Sequence, residues 1–176
     1  ERAGGAIFMA GPRDDELGGS ALYQALNMGL GKHVPEIDWE LERGMIHATV
    51  DAIDEGLLRA CTDISDGGLG VAVAEMCMGG FAEGQLGADI DLAKIEGDLR
   101  PDKAVFSESS GFVMEAAEGC EERLAEVFAE YGVAITQIGQ VVDEAQLRIA
   151  GGGQDCEWSL DELKNVWLQG LPEVLD

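Results

Sequence analysis

The sequence predicts a mixed α/β (α+β) domain, a layered sheet covered by helices, formed by residues 1–176 as one unit. Three observations lead there. Segments of helical and strand periodicity alternate along the whole chain, as they do when helices cover a sheet. Glycine and proline punctuate the boundaries, and no linker, internal repeat or low-complexity tract divides the chain. A chain of 176 residues buries about two-thirds of its unfolded surface, enough for one core. With 46% hydrophobic and only 6% aromatic residues, that core is built from aliphatic and small side chains.

The elements follow in order. Ala6-Ile7-Phe8-Met9-Ala10-Gly11, ended by Gly11-Pro12, reads as a buried strand and turn. Beginning on a strand suggests that something precedes it in the intact protein. Ser20 caps a helix through Leu22, Tyr23, Leu26 and Leu30, and an amphipathic helix runs from about Asp38 to Glu55 with Met45, Val50, Ile53 and Leu57 in its stripe. Leu57 to Thr62 reads as a strand, Asp63 to Gly68 as a tight loop and Leu69 to Met78 as a helix ended by Gly79-Gly80. Leu86 to Leu92 alternates Ala88, Ile90 and Leu92 with polar residues, as a half-buried strand does. Phe112 to Ala116 is a further strand, and Glu121 to Tyr131 a helix with Leu124, Val127 and Phe128 on one side. Strands at Ala134 to Val142 and Gln146 to Ala150 precede a last helix, where Ser159 and Glu162 form a capping box.

Thirty-five acidic against eleven basic residues give a net charge of −24, which repels nucleic acids and anionic lipid surfaces. No apolar run approaches the ~20 residues of a membrane span, and the first residues are not those of a signal peptide. Cys61, Cys77, Cys120 and Cys156 are far apart and form no Cys-x-x-Cys pair, so buried free thiols in a reducing cytoplasm are expected. His33 and His47, the only histidines, lie in no catalytic pattern. Asp89 and Asp91 share one strand face, read as solvated rather than metal-binding. Trp158 and Trp167 flank the last helix as anchors for its apolar side.

The informative segment is Asp63-Ile64-Ser65-Asp66-Gly67-Gly68-Leu69, continuing to Glu75-Met76. Two carboxylates and a hydroxyl stand at a strand end, and two glycines permit a tight turn with free N–H groups at a helix start. Such crevices and helix N-termini take ligands and phosphate. Equally, Ser65 or Asp66 merely caps the helix and the glycines satisfy geometry.

This run resembles the Asp-x-Ser-Asp-Gly-Gly-Leu and Glu-Met signature of phosphoribosylformylglycinamidine synthases, within the aminoimidazole ribonucleotide synthetase superfamily. Asp15-Glu16-Leu17-Gly18-Gly19-Ser20 is similar to that family's opening of a C-terminal domain, and Phe106-Ser107-Glu108-Ser109 to its Phe-Ser-Glu-Ser loop. The Ser-Asp-Gly-Gly form with the Leu-Gly-Gly-Ser opening resembles the second of the family's two tandem copies. The resemblance implies a ligase of purine biosynthesis that converts formylglycinamide ribonucleotide and glutamine-derived ammonia to the amidine, using ATP and magnesium. It implies as partners the rest of the synthase chain and a glutamine amidotransferase subunit or domain. Ser65, Asp66, Gly67, Gly68, Ser107, Glu108 and Ser109 are the ligand-contacting candidates that it marks, with no catalytic or metal residue in this chain.

One departure stands out. The family's Ser-Glu-Ser loop continues to an arginine before the aromatic, whereas here Ser109-Ser110-Gly111 runs straight into Phe112, removing a bidentate phosphate partner. That favours two alternatives to the catalytic reading: a structural role for the loop, and a non-catalytic scaffold half. A third alternative is a related superfamily enzyme of the thiamine phosphate kinase, selenophosphate synthetase or hydrogenase-maturation type, whose usual signatures differ from Leu-Gly-Gly-Ser followed by Asp-Gly-Gly. A domain of this family expressed without its neighbours is expected to expose an apolar surface and to form a homodimer.

Overall fold

The computed structural model describes residues 3–79, 85–95, 97 and 99–175, the last five of these by their backbone. In chain order the elements are β1 (Ala6–Ala10), α1 (Ala21–Ala25), α2 (Trp39–Asp54), β2 (Leu58–Asp63), α3 (Gly68–Met78), β3 (Gly87–Asp91), a 3₁₀ turn (Leu92–Lys94), α4 (Pro101–Phe106), β4 (Phe112–Ala116), α5 (Glu121–Glu130), β5 (Ile135–Val142), β6 (Gln146–Gly151), β7 (Gln154–Ser159) and α6 (Leu160–Leu175). The strands form one seven-stranded sheet in the order β2-β4-β1-β5-β3-β6-β7. Every adjacent pair is antiparallel except β3 and β6. The mixed, layered architecture expected from the sequence is the one observed.

The central strand β1 is buried throughout, because its alternating side chains enter two cores. Ile7 and Met9 join Val113, Ala88, Ile90, Leu147 and Ile149 beneath α3, with Leu160 at the start of α6. Ala6, Phe8 and Ala10 join Met114 and Ala116 beneath α2 and α5, against Met45, Ala48, Ala52, Leu124 and Phe128. Leu124 and Phe128 are fully buried, each worth about 1.5–3 kcal/mol by area.

The inner face of α2 consists of Gly44, Met45, Ala48, Thr49 and Ala52. These mostly small residues let the helix lie close to its neighbours: a Cβ on Gly44 would sit 2.9 Å from the Tyr131 carbonyl oxygen. The expected single stripe is therefore corrected. Met45 and Leu57 are buried, but Val50 and Ile53 are exposed together with Trp39 and Ile46. The buried and exposed sets lie about 140° apart around the helix axis, at 100° per residue.

Other expectations also shift. The first helix stops at Ala25 rather than continuing to Leu30, because Asn27 takes a left-handed φ of 53° and Gly29 and Gly31 follow with positive φ. Asp89 does share a face with Arg148, which it binds at 2.8 Å, and Arg148 reaches Asp155 at 2.9 Å; Asp91 instead caps the 3₁₀ turn through Ala93 N–H. Trp158 and Trp167 are exposed, and α6 is anchored by fully buried Leu160. Its capping box is present: the Glu162 carboxylate accepts from Ser159 N–H, and Ser159 Oγ accepts from Glu162 N–H. The cysteines are free, but only half-buried at 61, 77 and 120 and exposed at 156. Among the described residues no helix is long and apolar enough to cross a membrane.

Candidate functional site

The C-terminal ends of β1 and β2 meet the start of β4, since Ala10 and Asp63 both pair with Phe112. Three loops leave this corner: residues 11–20, 64–67 and 107–111. They carry most of the residues of the three segments that resemble the family's motifs.

The Asp63–Gly68 turn is built on consecutive left-handed glycines, Gly67 at φ 82° and Gly68 at φ 69°. A Cβ at Gly68 would lie 2.6 Å from the Ser107 carbonyl oxygen and 2.7 Å from that of Val105. Glycine is thus required twice over, by dihedral and by the close passage of the α4–β4 connection. The residue capping α3 is Gly67 itself, with no side-chain cap bond, which removes the reading of Ser65 or Asp66 as the cap.

Nor are the two glycine N–H groups at this helix start free. Gly68 N–H donates to Ser65 C=O at 2.9 Å, and Gly67 N–H donates to the Glu108 carboxylate at 2.8 Å. The same Glu108 oxygen accepts from Ala21 N–H at 2.8 Å, at the start of α1. One carboxylate therefore ties the Ser-Glu-Ser loop to both other loops. Its charge also suits the helix N-termini that it meets.

Ser107 and Ser109 are buried, with hydroxyls 2.6 Å apart, and Ser109 Oγ donates to Glu16 at 3.1 Å. Ser110 Oγ donates to Glu42, whose carboxyl is raised above its usual range by burial and then by the charge of Asp38. Ser20 accepts from Tyr23 N–H and donates to Leu17 C=O, closing the 11–20 loop. Lys103, on α4, pairs with Asp15 of the 11–20 loop.

The sequence reading missed Arg13. This side chain is 5% exposed. It donates to the carbonyls of Ser107 at 3.1 Å, Ser110 at 2.8 Å and Ser109, and to Pro12 C=O on its own loop. Burial pulls its pKa down to about 10 against the opposing charges of Asp14 and Glu16. Arg13 thus holds the 107–111 loop from the β1 side through main-chain carbonyls. The long Gly-Pro-Arg-Asp-Asp segment with one arginine among acids was the available signal.

The seven candidates consequently divide. Gly67, Gly68, Ser107 and Ser109 are buried and Glu108 half-buried, with their polar groups engaged in holding the loops together. Ser65 and Asp66, with Asp63, face solvent on the outer edge of the corner. That edge offers carboxylate and hydroxyl oxygens, which accept hydrogen bonds from hydroxyl or amine groups or ligate a hard cation. Among the described residues no cluster of three His, Cys, Asp or Glu forms a metal cage. A concavity of about 640 Å³ lies elsewhere, between β2 and α3, and includes Cys61 and Cys77, whose thiols burial pushes up to about 11.

Residues 2–152 match the model for AIR synthase related protein, C-terminal domain. The phosphoribosylformylglycinamidine synthase subunit PurL of Methanothrix thermoacetophila is 38% identical over 99% of the chain, and that of Parasynechococcus marenigrum 36% over 96%. The chain spans 22% of the length of each. Among solved structures, Thermotoga maritima PurL complexed with FGAR superposes with a TM-score of 0.77 at 21% identity, over 93% of this chain and 28% of that one. The Escherichia coli hydrogenase maturation protein HypE gives 0.62 at 19%, over 91% of this chain and 51% of that one. With the family model covering most of its length, this chain belongs to the AIR synthase related protein, C-terminal domain family.

Proposed function

We propose that this chain serves as a C-terminal domain of a phosphoribosylformylglycinamidine synthase. In that reaction ATP phosphorylates the amide oxygen of formylglycinamide ribonucleotide. Ammonia then adds at the amide carbon and phosphate leaves with that oxygen, giving the amidine, ADP and phosphate. The observation that carries the reading is 38% identity to a PurL subunit over 99% of the chain, with the three matching segments meeting at one corner of the sheet.

The remaining machinery belongs to the parent enzyme in this reading: most of the nucleotide site, the rest of the synthase chain and the amidotransferase that supplies ammonia. A cytoplasmic location goes with it. Magnesium binds phosphate oxygens with one or two protein carboxylates, and Asp63 and Asp66 belong to that donor class. The fixed loops around Gly67, Gly68, Ser107, Glu108 and Ser109 would present Ser65 and Asp66 to the ligand.

The second reading, a scaffold half without catalytic contacts, is favoured by one observation. The polar groups of Ser107, Glu108 and Ser109 bond within the protein. The two are separated in the whole protein that contains this chain, assayed with formylglycinamide ribonucleotide, ATP, magnesium and ammonia. Amidine formation is expected, and its absence sinks the synthase assignment. In that assay Asp66→Asn and Ser65→Ala should weaken kcat/KM about tenfold or more, the scale of losing a charge-assisted hydrogen bond. Unchanged kinetics in both variants would establish the scaffold reading. Chain 1–176 alone is expected to give no turnover.

A further inference from the structure

The arrangement around Arg13 differs from ordinary uses of a buried arginine. A buried guanidinium normally meets a carboxylate, because removing an unpaired charge from water is costly. Here its hydrogen-bond acceptors are main-chain carbonyls: Pro12 beside it, and Ser107, Ser109 and Ser110 about a hundred positions away. Carbonyl dipoles and the fields of Asp14 and Glu16 compensate the charge only in part, which is why burial dominates and its pKa falls to about 10. Within Ser107–Ser110, Glu108 is the residue whose carbonyl Arg13 does not take. Its carboxylate instead accepts from Gly67 N–H and Ala21 N–H. Three oriented peptide planes leave this loop little freedom, and that restriction passes to the side chain between them.

We infer that Arg13 is a positioning residue: by fixing the carbonyls of Ser107, Ser109 and Ser110, it holds Glu108 on the amides of Gly67 and Ala21 and so sets the geometry of the Asp63–Asp66 edge. Arg13 itself bonds to neither amide, so the effect runs through the loop. A planar fork with five donors suits several carbonyls in divergent directions, whereas an ammonium acts as a point charge. Arg13→Lys should therefore retain the charge and lose much of the positioning.

The test is hydrogen exchange by mass spectrometry on the whole protein, comparing peptides that cover Ala21 and Gly67 with peptides from α5. In Arg13→Lys and Arg13→Met, exchange at the first two should accelerate about tenfold, the scale of one lost hydrogen bond, while α5 stays unchanged. Glu108→Ala should produce the same local acceleration, and adding Arg13→Lys to it should produce no more, since both act through the one carboxylate that accepts from the two amides. Unchanged exchange at Ala21 and Gly67 overturns the inference. A uniform rise that includes α5 also overturns it, because that marks a merely structural role. If Arg13→Met fails to fold, Arg13→Lys carries the comparison. A second readout rests on the proposed function: in the synthase assay Arg13→Lys should raise KM for the ligand at this edge more than it lowers kcat. Failure of that readout alone, with the exchange result intact, counts against the synthase reading and not against the positioning role.

Discussion

The loop corner and helix α2 handle their unfavourable groups in opposite ways. At the corner, buried polar groups are matched to one another. Ser107, Ser109, Glu108, Glu16 and Arg13 form one connected set across three loops. Along α2, buried Thr49 Oγ1 has no hydrogen-bond partner, the single such side-chain atom among the described residues, and Trp39, Ile46, Val50 and Ile53 face solvent. The corner thus behaves as a finished structure, in which each replacement orphans a partner. The outer side of α2 is an apolar stripe that none of the described residues covers.

The largest effect expected from this contrast is at Gly68. Its φ of 69° disfavours any side chain, and a Cβ would meet two main-chain oxygens, at 2.6 and 2.7 Å, that cannot rotate away. Gly68→Val should cost about 3 kcal/mol or more, or abolish folding. Gly67→Val should cost less, because the atoms its Cβ meets belong to the Val71 side chain. Urea unfolding of the two variants checks the order, and equal costs would show that the passage of the loop over Gly68 is not what constrains it. Next in size is Ser109→Ala, which leaves Ser107 Oγ and Glu16 each short of a partner. A loss of about 1–3 kcal/mol is expected, and a neutral result would mean the corner is looser than its bonding implies.

How much of this was legible depended on whether a constraint was local. Strand β1 announced itself because a strand buried on both faces is an unbroken apolar run. The capping box at Ser159 was legible because both partners lie within four residues. Strand β7 was missed since Gln154–Ser159 is exposed at every position and is held by main-chain pairing to β6, leaving no alternation to read. Helix α4 carried a signal that was not used, Pro101 at its first turn followed by Asp102. At the site, the motif positions were visible as residue types, but Arg13 acts on carbonyls 94 or more positions away. Carbonyls exist at every residue, so no pattern of side chains marks which ones an arginine will take.

The exposed stripe of α2 gives a prediction of intermediate size. Chain 1–176 in isolation should self-associate through Trp39, Ile46, Val50 and Ile53, against the repulsion of its −24 charge. Because the screening length falls from about 30 Å at 0.01 M salt to about 3 Å at 1 M, association should strengthen with salt, the opposite of an ion-paired interface. Ile46→Glu together with Ile53→Lys should abolish it and alter monomer stability by no more than about 0.5 kcal/mol, as expected for exposed positions. Sedimentation equilibrium across this salt range reads both outcomes. A monomer under every condition would remove the contrast on which this reading of α2 rests.

The smallest effect, and the sharpest discrimination, is expected on the inner face of the same helix. Thr49 is 6% exposed and its hydroxyl lacks a partner, so the folded state bears the cost of having withdrawn that hydroxyl from water. Valine has nearly the same shape and branching, so Thr49→Val neither opens a cavity nor overpacks the contact between α2 and the sheet. No neighbouring group loses a bond when the hydroxyl goes. The remaining difference is the desolvation cost itself, and removing it should leave stability unchanged or raise it by up to about 1 kcal/mol. At the corner, Ser109→Ala is also a hydroxyl deletion from a buried site, yet its sign is opposite because two partners depend on that hydroxyl. Measuring both in one urea series makes the comparison internal. If Thr49→Val destabilises as Ser109→Ala does, then Thr49 has a bonded partner in solution, an ordered water or a carbonyl of α2, and the inner face of α2 is as fully matched as the loop corner.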